Sequence, residues 1–363
     1  MNSIHESDAR FPRLEIDLQK LSANLAVIGG STHGAGCSLM VVTKSFCADS
    51  RITGLLLESE WVDYIADSRV QNLAHYAGKG KETVLLRLPQ MCEIADVVRF
   101  ADISFNSELE TIRLLDAEAA VQNRIHKIIL MIDLGDLREG FYYKDERLIF
   151  ETIEQIQKLR HITLCGIAVN LTCYGGVIPK YENLSRLSSL AGRIEALFHI
   201  TLPIISGGNS SSYYLIEKGE LPSGITNLRL GESFILGNDT AYLSRIEGTY
   251  NDAVLFTAQI IELKTKPSMP EGEIGVDAFG NKPEFEDRGP VLRAIAAAGR
   301  QDIDPAGLTP TDPKVRILGA SSDHLLLEIG GGDYSVGGAV SFALNYSAFL
   351  RAFTSPYVGR QYF

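Results

Sequence analysis

The chain has 363 residues, of which 45% are hydrophobic and 22% charged, and it carries a formal net charge of −11. This composition is typical of a globular protein with ample core, whereas its acidity argues against general nucleic-acid binding and no apolar run reaches the length of a membrane span. The first residues lack the basic and apolar regions of a signal peptide, and the five cysteines show no paired spacing. We therefore expect neither disulfides nor structural zinc, and a cytoplasmic location.

Short β-branched segments alternate with helix-like segments through the first two thirds of the chain. The eight predicted strands are 38–44, 62–68, 83–88, 102–107, 127–135, 163–170, 202–209 and 227–233. Helical periodicity is clearest in the segments 49–59, 107–123, 146–160 and 181–198. Near-continuous apolar strands that alternate with helices indicate a parallel sheet, and eight such units favour a closed (β/α)₈ barrel over an open sheet.

The predicted secondary structure changes after residue 242, where long helices are absent. Four segments read as strands separated by Gly, Pro and Asp, namely 252–268, 293–303, 315–329 and 339–349. The sequence therefore predicts an α/β protein with a (β/α)₈ TIM barrel over 12–242, followed by a mostly β domain over 243–363. An early alternating strand, 13–18, fits either domain.

Active sites of such barrels lie at the carboxyl ends of the strands. Lys44 follows the first barrel strand, and SGGNSSS (206–212) follows the seventh, ahead of LRLGES (228–233). Small residues, hydroxyls and backbone N–H groups in the last two loops are typical of a phosphate site, although a Gly/Ser cluster is also an ordinary flexible turn. A lysine opposite a phosphate site suggests pyridoxal phosphate, whose aldehyde reacts with the amine.

Several motifs resemble those of a known family: NLTCYGGVIP (170–179), ISGGNSSS (205–212), EIGVDAFGNKPEF (273–285) and ILGASSDHL (317–325). With them, nearly the whole chain resembles the alanine racemase superfamily of fold type III pyridoxal-phosphate enzymes. Within that superfamily it is most similar to the ornithine racemase-like branch.

The resemblance implies roles for individual residues. The cofactor would be held by Lys44 through a covalent link, Asn170 over the ring, Asn209 and Ser210 beside the phosphate, Arg229 at the pyridine nitrogen, Gly231 and Glu232 through their backbone, and Tyr346 through its hydroxyl. Arg138 matches the arginine that approaches the substrate carboxylate, and Ser322 and Asp323 match a pair that a partner subunit delivers. These roles imply a head-to-tail homodimer with shared active sites.

Three positions depart from the pattern of alanine racemases. The tyrosine four residues after the cofactor lysine is Ala48, and Met131 takes the place of a modified lysine that steadies the carboxylate-binding arginine. The motif GYADG appears as GRQDI (299–303), so Arg300 replaces the tyrosine that acts as the second catalytic base.

The sequence therefore does not identify the second proton-transfer group. Lys44 is the natural base for one face of the substrate, and Asp323, Asp277, Arg300 and His324 are candidates for the other. An acidic loop, 275–289, contains Asp277 and fits a cationic substrate side chain such as that of ornithine.

We therefore predict a pyridoxal-phosphate-dependent amino-acid racemase for ornithine or another basic or polar amino acid. An alanine or broad-specificity racemase, a decarboxylase or aldolase on the same scaffold, and a non-catalytic cofactor carrier are alternatives. Arg229 and SGGNSSS argue against a decarboxylase, and the β domain argues against a carrier, which would resemble the barrel alone. A barrel that binds no cofactor would not explain why Lys44 and the phosphate loops occur together in one chain.

Overall fold

The computed structural model describes residues 10–277, 279–280 and 282–363. The chain forms two compact units, one made of Lys20–Tyr250 and the other of Asn251–Phe363 with the segment that ends at Gln19. Within the described residues, no helix combines the length and apolarity needed to cross a membrane.

The secondary structure follows the chain as two sets of elements. The strands are β1 (Arg13–Ile16), β2 (Ser38–Val42), β3 (Tyr64–Asp67), β4 (Glu82–Leu85), β5 (Ile103–Asn106), β6 (His126–Asp133), β7 (Phe141–Tyr142), β8 (Ile162–Ala168), β9 (Ile204–Ser206), β10 (Asn227–Leu230), β11 (Val254–Pro267), β12 (Pro290–Ala296), β13 (Leu308–Pro310), β14 (Val315–Ala320), β15 (Leu325–Ile329), β16 (Ala339–Leu344) and β17 (Gly359–Tyr362). The helices are α1 (Leu18–Gly34), α2 (Ser50–Glu58), α3 (Val70–Leu73), α4 (Ile94–Phe100), α5 (Leu109–Val121), α6 (Glu146–Ile156), α7 (Tyr181–Phe198), α8 (Tyr213–Glu217), α9 (Glu232–Leu236) and α10 (Tyr346–Thr354).

Eight parallel strands close into a barrel in the first unit. Their order is β2, β3, β4, β5, β6, β8, β9 and β10, and β10 pairs with β2 to complete the ring. The barrel interior is filled by buried apolar side chains, among them Met40, Val42, Ala66, Val84, Ile103, Phe105, Ile129, Met131, Cys165, Ala168 and Ile204. The predicted fold class is confirmed, because each of the eight predicted segments overlaps one barrel strand.

The longer helices cover the barrel with one apolar face. In α6 the buried residues Ile149, Thr152, Ile153 and Ile156 recur at spacings of three and four, which places them on one side of the helix. Asp145 caps this helix, since its side chain accepts a hydrogen bond from the backbone N–H of Leu148. Each fully buried isoleucine contributes about 1.5–3 kcal/mol relative to an exposed one, so this face rather than helix propensity holds α6 in place.

The second unit is an antiparallel sheet in the order β13, β16, β11, β12, β15 and β14. β1 extends this sheet, because it pairs antiparallel with β11 and parallel with β17. The early strand that the sequence left open therefore belongs with the β unit.

Two predicted strand segments were wrong in their second halves. The segment 293–303 is a strand only to Ala296. The segment 339–349 is a strand only to Leu344, and α10 begins at Tyr346. The Asn345 side chain accepts a hydrogen bond from the Ala348 N–H at 3.0 Å, so this residue caps a helix instead of continuing the strand.

Candidate active site

Lys44 lies directly after β2, at the carboxyl end of the barrel. The Thr43 hydroxyl donates to the buried Asp67 carboxylate at 2.6 Å and lies 2.7 Å from the Tyr76 hydroxyl. Burial raises the pKa of Asp67 to about 6, against the opposing effect of its hydrogen bonds. The Lys44 side chain reaches solvent, yet the protein around it lowers the pKa of its amine, first by desolvation and also by the charges of Arg138 and Arg229.

Arg138 extends from the loop after β6. Asp133 shapes this loop, since its carboxylate accepts hydrogen bonds from the backbone N–H groups of Gly135 at 2.8 Å and Leu137 at 3.2 Å. The Arg138 guanidinium forms a two-pronged ion pair with the neighbouring Glu139. Desolvation lowers the pKa of Arg138, but the hydrogen bond to Glu139 outweighs it and leaves the pKa above its usual value.

Asn170 follows β8 and is 7% exposed. Asn209, which follows β9, donates from Nδ2 to Asn170 Oδ1 at 3.1 Å, to the Leu171 carbonyl at 2.9 Å and to Cys173 Sγ at 3.3 Å. The Nδ2 group of Asn170 is buried without a hydrogen-bond partner among the described residues. A buried amide donor without a partner is costly, so this atom is a natural contact for a bound group.

The loop after β9 has the features of an anion cradle. Asn209 Oδ1 accepts a hydrogen bond from the Ser211 N–H at 2.8 Å, and the buried Ser211 hydroxyl has no partner in the described part of the chain. Gly208 adopts a φ of +120°, and a Cβ atom there would lie 2.6 Å from the Ser212 hydroxyl. The backbone N–H of Ser233, at the start of α9, points into the same loop and contacts Ser210 Oγ at 3.2 Å.

Arg229 lies inside the barrel on β10 and is 4% exposed. Its guanidinium donates to Ser206 Oγ at 2.7 Å and to the Val169 carbonyl at 2.8 Å, and its Cζ atom lies 5.2 Å from the centre of the Phe105 ring. Burial lowers its pKa to about 10, so the side chain is still protonated at neutral pH. Because a guanidinium has five N–H donors, two such contacts leave donors for a ligand.

The carboxylate of Glu232 adds an acidic group beside the anion cradle. Burial, and then the charge of Asp239, raise the pKa of Glu232 to about 7, against the opposing effect of Lys44. The raised pKa makes the negative charge of Glu232 easier to neutralise, so this side chain opposes an anion in the loop less than an ordinary glutamate would.

The remaining predicted site residues lie in the β unit, where most of them meet. The backbone N–H of Arg300 donates to the Ser321 carbonyl at 3.0 Å, next to Ser322 and Asp323. The Asp323 carboxylate lies 2.9 Å from His324 Nδ1, and both side chains are exposed. Arg300 also stacks on Phe279, whose N–H donates to Asp277 at 2.9 Å.

Tyr346 is the first residue of α10 in the same unit. The barrel thus brings Lys44, Arg138, Asn170, Asn209 and Arg229 to one end, and the β unit brings together Arg300, Ser322, Asp323, His324 and Asp277. Their roles stay predictions.

Sequence reasoning missed several polar residues at the barrel end. Asp67 lies near the end of the predicted strand 62–68 and ends β3, one residue past the pairing of Val42 with Ala66 and so beside the residue before Lys44. A carboxylate at the carboxyl end of a barrel strand was itself a signal. Glu139 and Asp136 were hidden in the loop sequence DLGDLREG, where acidic residues between glycines resemble solvated turn residues. Cys173 was weighed only for disulfide spacing, although its thiol lies beside Asn170 and Asn209.

Comparison with known proteins places the chain in a family. Residues 16–238 match the family model of the alanine racemase N-terminal domain. The ornithine racemase of Acetoanaerobium sticklandii is 50% identical over 97% of this chain and 99% of its own. The lysine racemase of Thermotoga maritima is 37% identical over 97% and 98%. The chain belongs to the alanine racemase family, as its motifs predicted.

Solved structures share the fold at low sequence identity. Alanine racemase from Streptomyces lavendulae superposes with a TM-score of 0.74 at 15% identity and covers 98% of each chain. Alanine racemase from Bartonella henselae, solved with covalently bound pyridoxal phosphate, gives a TM-score of 0.73 at 16% identity over 97% of this chain and 99% of that one.

Proposed function

We propose that this protein is a pyridoxal-phosphate-dependent amino-acid racemase that acts on ornithine. The observation that carries the proposal is the buried Arg229 guanidinium on β10, at the same end of the barrel as Lys44 and the Ser/Gly loop after β9. The substrate is inferred from the relative that is 50% identical over nearly the whole length. The second relative also acts on a basic amino acid, as its name states.

The residues at the barrel end fit pyridoxal phosphate. Asn170 Nδ2 and Ser211 Oγ are buried and have no hydrogen-bond partner within residues 10–277, 279–280 and 282–363, and they lie on the loops proposed to hold the ring and the phosphate. Lys44 would hold the aldehyde, Arg229 the pyridine nitrogen, and the backbone of Gly231 and Glu232 the phosphate. When bound, the cofactor withdraws electrons from the substrate and so acidifies its Cα–H bond.

Lys44 and Arg229 divide the chemistry on the barrel side. The lowered pKa of Lys44 leaves more of its amine neutral, which suits removal of the Cα proton from one face. Arg229 stays protonated and only donates, so it does not pass a proton to a ring nitrogen. This limits electron withdrawal and favours simple return of the proton over other reactions.

Arg138 would bind the substrate carboxylate with its planar fork of N–H donors. Glu139 already holds that guanidinium in a fixed orientation, and Met131, buried in the barrel interior, makes no polar contribution to it. Return of the proton to the opposite face falls to one of Asp323, Arg300, Asp277 or His324.

We also propose a head-to-tail homodimer, in which Ser322 and Asp323 of a second copy complete each site. Apolar side chains protrude from loops at the carboxyl end of the barrel, where Leu137 and Tyr174 are 66% and 76% exposed. Tyr242 and Leu243 are 52% and 76% exposed in the loop after α9. Exposed apolar side chains of this kind support burial against another protein surface. The five cysteines, all within the described residues, are present as thiols and not as disulfides, which supports a reducing, cytoplasmic location.

The test is a chiral assay. Purified holoenzyme is incubated with L-ornithine or D-ornithine, and chromatography follows the appearance of the other enantiomer, with L-alanine, L-lysine and L-glutamate as comparison substrates. We expect racemisation of ornithine at the highest kcat/KM. Release of carbon dioxide without D-ornithine would favour a decarboxylase and overturn the proposal.

Lys44→Ala tests the cofactor link. Borohydride treatment of the wild-type protein should fix pyridoxal phosphate to a peptide that contains Lys44, whereas the variant should retain none on that peptide. Lys158→Ala, at an exposed residue after α6, is the matched control and should label as wild type. Covalent labelling of Lys44→Ala on another lysine, with activity preserved, would contradict the assignment.

A further inference from the structure

The loop 171–177, between β8 and α7, has an unusual backbone for its sequence. Thr172 adopts a φ of +64°, in the left-handed region that β-branched residues rarely occupy. Such strain persists only where the surrounding structure enforces it. The Thr172 hydroxyl donates to the Val177 carbonyl at 2.8 Å, so the loop folds back on itself.

The enforcing group is the carboxylate of Asp136, from the loop that also carries Arg138. Its Oδ1 atom accepts hydrogen bonds from the N–H groups of Thr172 at 3.1 Å and Val177 at 3.0 Å. Its Oδ2 atom accepts from Cys173 at 3.3 Å and Tyr174 at 3.0 Å. One side chain thus satisfies four backbone donors of a neighbouring loop.

Asp136 is completely buried yet carries a charge. Burial favours the neutral acid, but the backbone N–H groups, with that of Val177 foremost, hold the pKa of Asp136 below its usual value. A charged acceptor makes each of these hydrogen bonds stronger than a neutral one would be.

Gly175 permits the close contact between the two loops. A Cβ atom on this residue would lie 2.6 Å from the backbone carbonyl oxygen of Asp136. The φ angle of Gly175 is not positive, so its backbone conformation is open to other residues. Glycine is required here because a side chain would collide with the backbone of Asp136.

The same loop is tied on its other side to the proposed phosphate loop. Asn209 Nδ2 donates to Asn170 Oδ1, to the Leu171 carbonyl and to Cys173 Sγ. Three consecutive loops of the barrel end are therefore joined in series, and Asp136 is the junction between the first and the second.

We propose that Asp136 is a positioning residue for the racemase site, which locks the loop 171–177 and through it sets Asn170 and Asn209 against the cofactor and Arg138 against the substrate. This inference rests on the proposed function for its kinetic consequence, but the lock itself does not. Asp136 needs no contact with either ligand, since it acts through backbone donors.

The experiment is hydrogen–deuterium exchange of the holoenzyme, followed on a peptide that spans 170–178, together with steady-state kinetics on ornithine. In Asp136→Asn one of the two oxygens becomes an amide donor, so at least two of the four bonded N–H groups lose their acceptor and should exchange faster. In Asp136→Ala all four N–H groups lose their acceptor and should exchange faster. We expect kcat/KM to fall by about tenfold or more, because displacement of a binding group by about 1 Å costs up to about 100-fold.

Two further variants separate positioning from general stability. Gly175→Ala keeps the carboxylate but pushes the loop away, and it should reproduce both the faster exchange and the kinetic loss even where Asp136→Asn folds poorly. Asp102→Asn is the matched control, since Asp102 accepts the Thr83 N–H at 2.8 Å at the opposite end of the barrel strands. Asp102→Asn should change neither the exchange of the peptide 170–178 nor kcat/KM on ornithine.

Wild-type exchange of 170–178 in Asp136→Asn and Gly175→Ala would overturn the proposal, and so would faster exchange with unchanged kcat/KM. If the wild-type protein does not racemise ornithine, the proposed function fails instead. The exchange rates and the affinity for pyridoxal phosphate then decide whether Asp136 orders these loops. If the variants match the wild-type protein in both measurements, Asp136 does not order them.

Discussion

Replacement of Arg229 by methionine should separate activity from stability. The pKa of this guanidinium falls from 12.5 to about 10 on burial, which corresponds to a desolvation cost of about 3 kcal/mol. Methionine removes that cost. It also removes two hydrogen bonds from a charged donor, to Ser206 and Val169, which contribute about 1.5–3 kcal/mol each.

The two effects oppose each other, so the net loss of stability should be only about 0–3 kcal/mol. Activity should fall far more, by about 100-fold or more, because in the proposed site the pyridine nitrogen would lose its charged donor and methionine offers no replacement. The protein would thus carry a buried charge that contributes little to folding and is retained for its chemistry.

Urea unfolding of the cofactor-free protein measures the first quantity, and racemisation of ornithine by the reconstituted enzyme measures the second. Arg113→Met, at an exposed position of α5, is the control and should match wild type in both. Wild-type racemisation by Arg229→Met would remove Arg229 from the cofactor site. A loss of stability well above 3 kcal/mol would mean that the guanidinium is chiefly structural.

Two more outcomes follow from the structure. Burial lowers the pKa of His126 to about 4. The folded state therefore loses about 3 kcal/mol of stability as the pH falls from about 6.5 to 4, because the buried imidazole resists protonation. His126→Gln should make the free energy of unfolding less dependent on pH over that range, and an unchanged pH dependence would contradict this. For the shared site, inactive Lys44→Ala and Asp323→Ala proteins refolded together should regain about a quarter of wild-type sites, whereas mixed dimers without activity, or an active monomer, would exclude sharing.

The barrel was predictable because its strands are buried on both faces. Segments such as 38–44 and 127–135 read as near-continuous apolar runs, and each overlaps a strand of the ring. Their count and their alternation with helices are local properties, so no knowledge of distant contacts was needed.

Features that depend on distant partners were harder to predict. β1 alternates in a way that fits either unit, and only its pairing with β11 and β17, more than 200 residues away, decides its place. Asp136 looks like any acidic turn residue until the loop 171–177 comes to lie against it. The cap of α10 is local, but the apolar residues after Asn345 concealed it.

The position of β1 also bears on the order in which the protein is made. The two parallel neighbours are far apart along the chain, since Ile16 of β1 pairs with Tyr362 of β17, 346 residues later. At translation rates of about 5–20 residues per second, β1 waits roughly 20 to 70 seconds for that neighbour. During this interval the barrel residues emerge and can fold. Both edges of β1 stay unpaired until β11 is made, and the edge that β17 covers stays open to association with other chains until β17 is made. Slow folding or aggregation of nascent chains should therefore depend on β1 and on the last residues of β17, rather than on the barrel.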